Sequence, residues 1–347
     1  MLGVDSGGSG VRFALGRADS GSGSGVRAGT AAPTVVSKEP VPTGPAGIDA
    51  GRLLEQLLPA VEELRARTGA EAVAAVAVGA AGMASLGDDL RARLPGALAG
   101  ALGVGRLALA ADGVTAYAGA LGQRPGAVVA AGTGMIALGT DLTRWQRADG
   151  WGHLLGDCGG GAWIGRAGLE AALRDHDGRR GGSALLRERA EALFGPLPAL
   201  PSVLYPRTDR PAVLASFAPE VARCAPVDPV AAGILRAAAR HIAESAAAVC
   251  PDGVADARAP LFPAGRSADA SVSECEVALT GGLFGMGDPL LVPVREELAA
   301  LRPGARTVSA AGDPLAGAVL IAAALARGEL RLPHDPAMLR VTTEQDT

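Results

Sequence analysis

Lysine is nearly absent from this chain of 347 residues. One lysine, Lys38, stands among the 32 lysine and arginine residues. A Walker A loop ends in Gly-Lys-Ser/Thr, and a protein kinase needs a lysine on a strand of the type Val-Ala-Ile-Lys. Lys38 follows Val35-Val36-Ser37 and precedes Glu39-Pro40, which fits neither pattern. Both classes are therefore excluded, and any nucleotide would have to be held by backbone amides and magnesium.

Cysteine is also scarce, and its spacing excludes common metal centres. The four cysteines are Cys158, Cys224, Cys250 and Cys275. They form no Cys-x-x-Cys pair, so the sequence predicts neither a zinc site nor an iron–sulfur site. Wide spacing in a chain of this size indicates free thiols in a reducing compartment.

Long apolar runs and an excess of positive charge are missing as well. The longest apolar stretch, Pro314 to Ala326, is too short to cross a bilayer, and strand-like residues begin at Met1 without a basic leader. A net charge of −4 and a pI near 5.7 give no electrostatic reason to bind nucleic acid or an anionic membrane. We therefore expect a cytoplasmic protein without nucleic-acid or membrane partners.

Aromatic residues make up only 3% of the chain, whereas 48% is hydrophobic and 50 residues are glycine. The cores must therefore be built from alanine, valine and leucine. The length favours two domains over one.

Hydrophobic periodicity predicts the same α/β order twice. The first half has predicted strands at 2–5, 11–15, 34–40, 73–78 and 106–111, with helices at 52–67 and 88–101. The second half has predicted strands at 126–130, 135–139, 276–280 and 307–310, with helices at 162–174, 184–193, 212–224, 229–249, 295–301 and 315–327. A Gly/Ser-rich segment at 19–25 is interpreted as a hairpin connection. Two copies of one plan predict a duplicated fold with a cleft between the halves.

Two glycine-rich turns and an aspartate are the candidates for chemistry. The turns are Asp5 to Gly10 and Ala131 to Gly134, each at the end of an apolar run, and Asp112 ends a third run. Glycine lets backbone N–H groups approach an anion, so two such turns could hold a polyphosphate. Asp112 could take a proton from an attacking hydroxyl, although capping the following helix is an equally good interpretation. Asp5 could hold the water shell of Mg²⁺ or be a plain turn residue. The combination suggests phosphoryl transfer to an alcohol.

A third segment carries a family resemblance. Gly150-Trp151-Gly152-His153-Leu154-Leu155-Gly156-Asp157, continuing to Gly165, is long and unusual. Together with the two turns and Gly281-Gly282-Leu283-Phe284, it resembles the N-acetylglucosamine kinase branch of the BadF/BadG/BcrA/BcrD-type ATPases, in the actin / sugar kinase / Hsp70 superfamily. The resemblance runs from Met1 to about Ala326.

The resemblance implies an α/β fold of duplicated ribonuclease-H-like (actin-like ATPase) domains with an inter-domain cleft. The first domain would comprise residues 1–111 and about 312–330. The second would comprise residues 112–311 with a helical insertion, and residues 333–347 would form a polar tail.

The resemblance also implies roles for individual residues. The implied cofactors are ATP and Mg²⁺, with Asp5 holding the metal through water. Asp112 would be the general base on the 6-hydroxyl of N-acetylglucosamine. The implied ATP and phosphate contacts are Gly7, Gly8, Ser9, Gly10, Gly132, Thr133 and Gly134, with Gly281 and Gly282 at the adenosine. The implied sugar contacts are Asp112, Thr133, Gly150, Trp151 and Asp157.

Several positions depart from the family pattern. Met135 and Ile136 follow the second turn where relatives often have Ser or Ser-Asn, Cys158 replaces an acid, Gly160 replaces a serine, and Gly47 replaces a sugar-contacting asparagine. These changes leave the phosphate turns intact and the sugar open. A kinase of another amino sugar or hexose, and an ATPase regulator without sugar kinase activity, are the alternatives. The chain lacks the cluster-binding cysteines of the reductase activators, which argues against the regulator. The oligomeric state is left open, with a homodimer as one candidate.

Overall fold

The computed structural model describes residues 1–8, 10–17, 33–44, 47–251 and 274–343. The strands are β1 (Leu2–Gly7), β2 (Gly10–Leu15), β3 (Thr34–Ser37), β4 (Thr43–Gly44), β5 (Gly47–Ile48), β6 (Val76–Ala80), β7 (Arg106–Ala111), β8 (Gly126–Ala131), β9 (Met135–Thr140), β10 (Trp145–Asp149), β11 (Cys275–Thr280), β12 (Ala305–Ser309) and β13 (Leu339–Thr343). The helices are α1 (Ala50–Thr68), α2 (Met83–Leu86), α3 (Asp88–Leu102), α4 (Asp112–Leu121), α5 (Gly161–His176), α6 (Ala184–Phe194), α7 (Leu200–Leu204), α8 (Arg210–Ser216), α9 (Ala218–Cys224), α10 (Pro229–Val249), α11 (Asp288–Leu301) and α12 (Pro314–Arg327). Short 3₁₀ turns cover Leu197–Ala199 and Gly282–Met286.

The chain divides into two compact units, and each is built on one sheet. The first unit is Met1–Arg124, Thr140–Trp145 and Ala310–Thr347, and the second is Pro125–Gly139 and Gln146–Ser309. The first sheet has the order β13-β7-β6-β1-β2-β3, and the second has the order β10-β9-β8-β11-β12. Apart from β13, both sheets follow one plan: three strands consecutive in sequence lie side by side, the first of them pairs with a later strand, and that strand pairs with one later still. The predicted duplication is confirmed.

The central strands explain the sequence pattern that predicted them. β1 pairs antiparallel with β2 and parallel with β6, and β6 pairs parallel with β7. All five residues of β6 are buried, because a parallel strand between two others is covered on both faces. In the second unit, β11 pairs parallel with both β8 and β12.

In the core of the first unit, helices pack closely against their neighbours. α12 lies against α4 and β1, and glycines mark the contacts. A Cβ at Gly317 would collide with the Thr115 carbonyl of α4, and a Cβ at Gly119 would collide with the Asp313 carbonyl. Glycine at these positions therefore lets two helices approach closely in a chain with few large side chains.

Two predictions of local structure are wrong. The predicted helix 212–224 is two helices, α8 and α9, which meet at Phe217. Pro219, near the start of α9, has no N–H to donate and disfavours a continuous helix before it. The predicted polar tail 333–347 contains β13, which pairs antiparallel with β7 and continues the first sheet. Strands β4, β5 and β10 and helices α2 and α7 lie where no element was predicted.

The unit boundaries also differ from the predicted domain boundaries. Helix α4 and Thr140–Trp145 belong to the first unit, whereas the second domain was expected to begin at residue 112. Within the described residues, no helix combines the length and hydropathy needed to cross a membrane. All four cysteines are free, as predicted. Ser9, the 19–25 connection, Pro45, Ala46 and residues 344–347 lie outside the described residues.

Candidate active site

The carboxyl edge of the first sheet brings Gly7, at the first turn, and Asp112 to a common level. Asp5 of β1 is in register with Gly79 of β6, which is in register with Ala110 of β7. Gly7 lies two residues beyond Asp5, and Asp112 lies two residues beyond Ala110. Because neighbouring strands are spaced by about 4.8 Å, Gly7 and Asp112 lie at one edge, roughly 10 Å apart. In α/β sheets this edge is the usual position of ligands.

Asp112 is not the N-cap of the helix that it begins. The N-cap position of α4 is Ala111, which has no side-chain capping bond, and Asp112 is the first helical residue. The Asp112 Oδ1 atom accepts a hydrogen bond from the Gly113 N–H at 2.9 Å. The side chain is half-buried. Asp112 is therefore not the N-cap residue that the sequence suggested, although its carboxylate accepts an N–H group of the first turn of α4. The catalytic interpretation stays a prediction.

An arginine that was not singled out from the sequence binds Asp5. Asp5 and Arg12 face each other across the β1–β2 hairpin. The Arg12 Nε and Nη2 atoms lie 3.0 and 2.6 Å from Asp5 Oδ2, and Arg12 Nη1 lies 2.5 Å from Asp313 Oδ2. Asp313 is the N-cap of α12 and also accepts from the Ala316 N–H at 2.9 Å. One guanidinium therefore joins the first glycine turn to the start of α12.

Burial raises the pKa of the Asp5 carboxyl, and the Arg12 hydrogen bond and charge oppose that shift. The Asp5 side chain is 15% exposed, whereas Arg12 is 37% exposed. The interpretation of Asp5 as a plain turn residue is wrong, because Asp5 is the last but two residue of β1 and is held by an ion pair. Directly opposite residues of an antiparallel pair have their side chains on the same face, so the pairing of Arg12 with Asp5 could have been found from the hairpin register.

The glycines of the turns divide into two groups according to what a side chain would meet. A Cβ at Gly10 would collide with the Ser37 carbonyl, one at Gly134 with the Asp157 carboxylate, and one at Gly281 with the Ala131 carbonyl. Packing within the protein explains these three. A Cβ would meet nothing within 4 Å at a second set, which comprises Gly7, Gly8, Gly132 and Gly282. Open space at these four positions is what a backbone approached by a ligand would have.

The second turn is held by the start of α5. The Gly161 N–H donates to the Gly132 carbonyl at 2.9 Å, and the Ala162 N–H donates to the Thr133 carbonyl at 2.8 Å. The Gly132 N–H donates to the Gly134 carbonyl at 2.9 Å, which closes the turn on itself. Gly132 and Thr133 remain exposed.

The fourth glycine segment lies beside this turn. β11 is parallel to β8, with Thr280 in register with Ala130, so Gly281 follows next to Ala131. Gly281 has a φ of 103°, a conformation that glycine adopts readily. The second unit therefore brings together the 132–134 turn and the Gly281-Gly282 turn.

The loop after β10 exposes its tryptophan. Trp151 is 66% exposed, so it does not anchor the loop by burial. The Arg147 guanidinium carbon lies 4.3 Å from the centroid of the Trp151 ring, which is a cation–π contact. Gly150 has a φ of 74°, and its carbonyl accepts from Arg147 Nη2 at 2.7 Å. An exposed ring on a fixed loop is suited to stacking on a ligand.

Asp157 links this loop to the second turn. Its Oδ1 atom accepts from the Gly152 N–H at 3.1 Å. Its Oδ2 atom lies where a side chain at Gly134 would go. Burial raises the pKa of Asp157, while the Gly152 N–H bond opposes that shift. Asp157 thus touches both the Trp151 loop and the phosphate-type turn.

A second acid, Asp149, holds the same loop and was not predicted from the sequence. Its Oδ1 and Oδ2 atoms accept from the N–H groups of Asp157 and Cys158, at 2.7 and 2.8 Å. Asp149 has a φ of 59° at the end of β10. The Asp149-Gly150 pair, typical of a turn, was the one signal available in the sequence.

The departures from the family pattern have packing explanations at two positions. A Cβ at Gly47, where φ is 96°, would collide with the Leu86 carbonyl, so an asparagine does not fit there. A Cβ at Gly160 would lie 2.8 Å from the Gly134 carbonyl carbon. Met135 is buried, and Ile136 packs against Gly150. The structure gives no corresponding reason for cysteine at 158.

The chain is similar to several known proteins. A family model described as the BadF/BadG/BcrA/BcrD ATPase family matches residues 2–322. A curated relative, an N-acetylmuramic acid/N-acetylglucosamine kinase of Clostridium acetobutylicum, is 38% identical over 84 residues, which are 24% of this chain and 27% of the relative. The chain thus matches only about a quarter of that relative's length.

Solved structures match over nearly the whole chain. A "putative N-acetylglucosamine kinase" from Chromobacterium violaceum is 27% identical, with a TM-score of 0.57 over 92% of this chain and 97% of that one. A second protein of that description, from Porphyromonas gingivalis, is 16% identical, with a TM-score of 0.61 over 92% and 97%. A ROK family glucokinase from Streptomyces griseus, solved with glucose and AMPPNP, is 18% identical, with a TM-score of 0.54 over 94% and 99%. The last two share the fold, which is the duplicated ribonuclease-H-like fold predicted from the sequence.

Proposed function

Because this chain belongs to the BadF/BadG/BcrA/BcrD ATPase family, we propose that it is an ATP-dependent sugar kinase that phosphorylates the 6-hydroxyl of N-acetylglucosamine. The observation that carries the proposal is Asp112, a carboxylate at the carboxyl edge of the first sheet, directly after β7. A general base needs such a position, because ligands of α/β sheets bind at this edge and the base must reach a substrate proton.

Asp112 accepts the proton of the sugar hydroxyl as that oxygen attacks the γ-phosphorus of ATP. The bond to the β–γ bridging oxygen breaks, and ADP leaves with the bonding electron pair. A phosphoryl transfer of this kind depends chiefly on positioning and on stabilising charge on the phosphate oxygens. Backbone N–H groups at the open glycines, Gly7, Gly8, Gly132 and Gly282, supply that stabilisation without a lysine.

The residues present fit Mg²⁺ held largely by phosphates and water. Within the described residues, no group of three or more His, Cys, Asp or Glu side chains could hold a metal by itself. Mg²⁺ in kinases is commonly bound through one or two carboxylates together with substrate phosphates and water. Asp5, at the first turn, is the carboxylate for this role, and Arg12 keeps it in place. The metal, when bound, neutralises negative charge on the phosphates.

The sugar assignment is supported by the exposed loop of the second unit. Trp151 offers an apolar ring to a pyranose, and Asp157 is an acceptor for hydroxyl groups. The curated relative, named for N-acetylmuramic acid and N-acetylglucosamine, and the C. violaceum protein make an amino sugar the first choice of substrate. Thr133 and Gly150 are proposed to border the same ligand.

Release of ADP by the purified protein tests the proposal. We expect release that depends on added sugar, fastest with N-acetylglucosamine in a panel with N-acetylmuramic acid, N-acetylmannosamine, glucosamine and glucose. If another sugar of the panel gave the fastest ADP release, that sugar would be the substrate, and the assignment as a sugar kinase would stand. ADP release that is independent of every sugar would overturn the kinase and favour an ATPase regulator.

A further inference from the structure

Asp149 uses both carboxylate oxygens to hold the backbone beyond the Trp151 loop. Its Oδ1 atom accepts from the Asp157 N–H at 2.7 Å, and its Oδ2 atom accepts from the Cys158 N–H at 2.8 Å. Hydrogen bonds to an ionised acceptor are about twice as strong as neutral ones. The carboxylate therefore joins the two ends of the loop, residues 150–156, across its base.

The surrounding backbone is built around this carboxylate. Asp149 has a φ of 59° and Gly150 a φ of 74°, so the chain reverses as it leaves β10. A Cβ at Gly156 would collide with Asp149 Oδ1, so the loop passes directly over the carboxylate. Arg147 adds a bond from its Nε to the Asp149 carbonyl at 2.9 Å. The left-handed conformation of a residue other than glycine is held by these contacts.

The held residue, Asp157, in turn contacts the two parts of the proposed site in the second unit. It also has a positive φ, 55°; its carboxylate accepts from the Gly152 N–H and lies against Gly134 of the second turn. We propose that Asp149 is a positioning residue for sugar binding, which fixes the backbone of Asp157 so that its carboxylate meets both the loop and the second turn. This inference rests on the proposed function, in which Asp157 and Trp151 contact the sugar.

Cys158 provides a reporter for the same contact. It is half-buried, whereas Cys224, Cys250 and Cys275 are buried. Burial raises the pKa of the Cys158 thiol, and the nearby Asp149 carboxylate raises it further. Removing that carboxylate lowers the pKa, so the reactive thiolate becomes more abundant at a given pH.

Three variants separate positioning from a general loss of structure. Asp149→Gly removes both bonds and tolerates the positive φ. Asp149→Asn keeps one acceptor oxygen and the conformation. The matched control is Asp141→Asn, because Asp141 also accepts two backbone N–H bonds, from Thr143 and Arg144 at 2.8 and 3.1 Å. We expect the KM for N-acetylglucosamine to rise roughly tenfold or more in Asp149→Gly, and less in Asp149→Asn. The KM for ATP should rise less than that for the sugar, and the control should match the unmodified protein.

Two measurements do not depend on activity. Amide hydrogen exchange at Asp157 and Cys158 should accelerate roughly tenfold or more in Asp149→Gly, with Asp149→Asn intermediate. The cysteine that reacts fastest with a disulfide reagent should be Cys158, as identified by peptide mapping. Its reaction rate should be highest in Asp149→Gly, intermediate in Asp149→Asn and lowest in the unmodified protein. Circular dichroism and thermal melts establish that each variant is folded.

Unchanged rates of amide hydrogen exchange and of thiol reaction in folded Asp149→Gly would contradict the contact between the Asp149 carboxylate and the backbone of Asp157 and Cys158. Altered exchange with sugar and ATP KM values raised equally, or no more than in Asp141→Asn, would overturn the positioning role. Failure of the unmodified protein to phosphorylate any sugar would overturn the proposed function, while exchange and thiol rates would still decide whether Asp149 holds this loop.

Discussion

The two units share one sheet plan, but their glycine turns are held in different ways. In the first unit, the guanidinium of Arg12 joins the carboxylates of Asp5 and Asp313. In the second unit, the carbonyls of Gly132 and Thr133 accept backbone N–H groups from the start of α5. The first turn is supported by charge and the second by backbone geometry.

This difference suits the separate roles proposed for the two turns. Charge at the first turn suits a residue that must meet a cation, as proposed for Asp5. Close backbone contacts at the second turn leave no room for a side chain at Gly134 and hold the turn rigid. The predictions below test the two arrangements separately.

The largest expected effect belongs to Asp112 in the first unit. Asp112→Asn keeps the shape of the side chain and removes its basicity, so kcat should fall by roughly 10²–10⁴-fold. Because asparagine can also accept the Gly113 N–H, the melting temperature should change little. Binding of ATP, measured by calorimetry, should be retained. Activity close to that of the unmodified protein would return Asp112 to a structural role.

Valine substitutions at the two turns should give different results. A Cβ at Gly8 has no other atom within 4 Å, so Gly8→Val should fold. It should lose ATP binding, because the valine side chain blocks the approach of the backbone to phosphate. Gly134→Val collides with the Asp157 carboxylate, so both the fold of the second unit and ATP binding should suffer. Calorimetric titration with ATP and thermal melts distinguish the two. Gly96→Val, on α3 with open space around it, is the control. Unchanged ATP affinity in folded Gly8→Val would contradict the phosphate role of the first turn.

Asp157→Ala should weaken the binding of both substrates, and the larger effect should be on the sugar. Each hydrogen bond lost to a sugar hydroxyl costs about 1–3 kcal/mol. The KM for ATP should also rise, because the carboxylate lies against Gly134 of the second turn. Steady-state kinetics with each substrate varied in turn measure both. A rise in the ATP KM with unchanged sugar affinity would move this loop to the nucleotide site.

The smallest expected effect concerns the ion pairs of the first unit. Because the Arg12 side chain is 37% exposed, solvent screening limits the loss in Arg12→Gln to about 1 kcal/mol of unfolding free energy. Arg52→Gln, which breaks the exposed Arg52–Glu55 pair, should change stability by less. Urea unfolding of both variants makes the comparison. Equal losses of unfolding free energy in the two variants would mean that the ion pairs of Arg12 stabilise the protein no more than an exposed surface pair does.

Much of this fold could be predicted because its signals are local. The run at β6 and the periodicity of α10 each lie in one continuous segment, and the predicted helix 229–249 matches α10 throughout. β13 could not be predicted, because its partner β7 lies more than 200 residues earlier in the chain. β10 has no apolar alternation, since its residues are partly exposed on both faces.

The candidate site also contains residues that could be predicted from the sequence and residues that could not. Glycine turns and Asp112 are visible as motifs, since each is a short pattern at the end of an apolar run. Arg12 and Asp149 were missed, because each acts through contacts that only the folded backbone creates. Sequence reasoning also could not separate glycines explained by packing, such as Gly10, from those with open space, such as Gly8.

The position of the transferred phosphate tests the central claim most directly. The purified protein is incubated with ATP, Mg²⁺ and N-acetylglucosamine, and the product is examined by phosphorus–proton correlation NMR. The account predicts a single phosphomonoester coupled to the two protons on carbon 6 of the sugar. A phosphate on another hydroxyl, or inorganic phosphate as the only product, would contradict it.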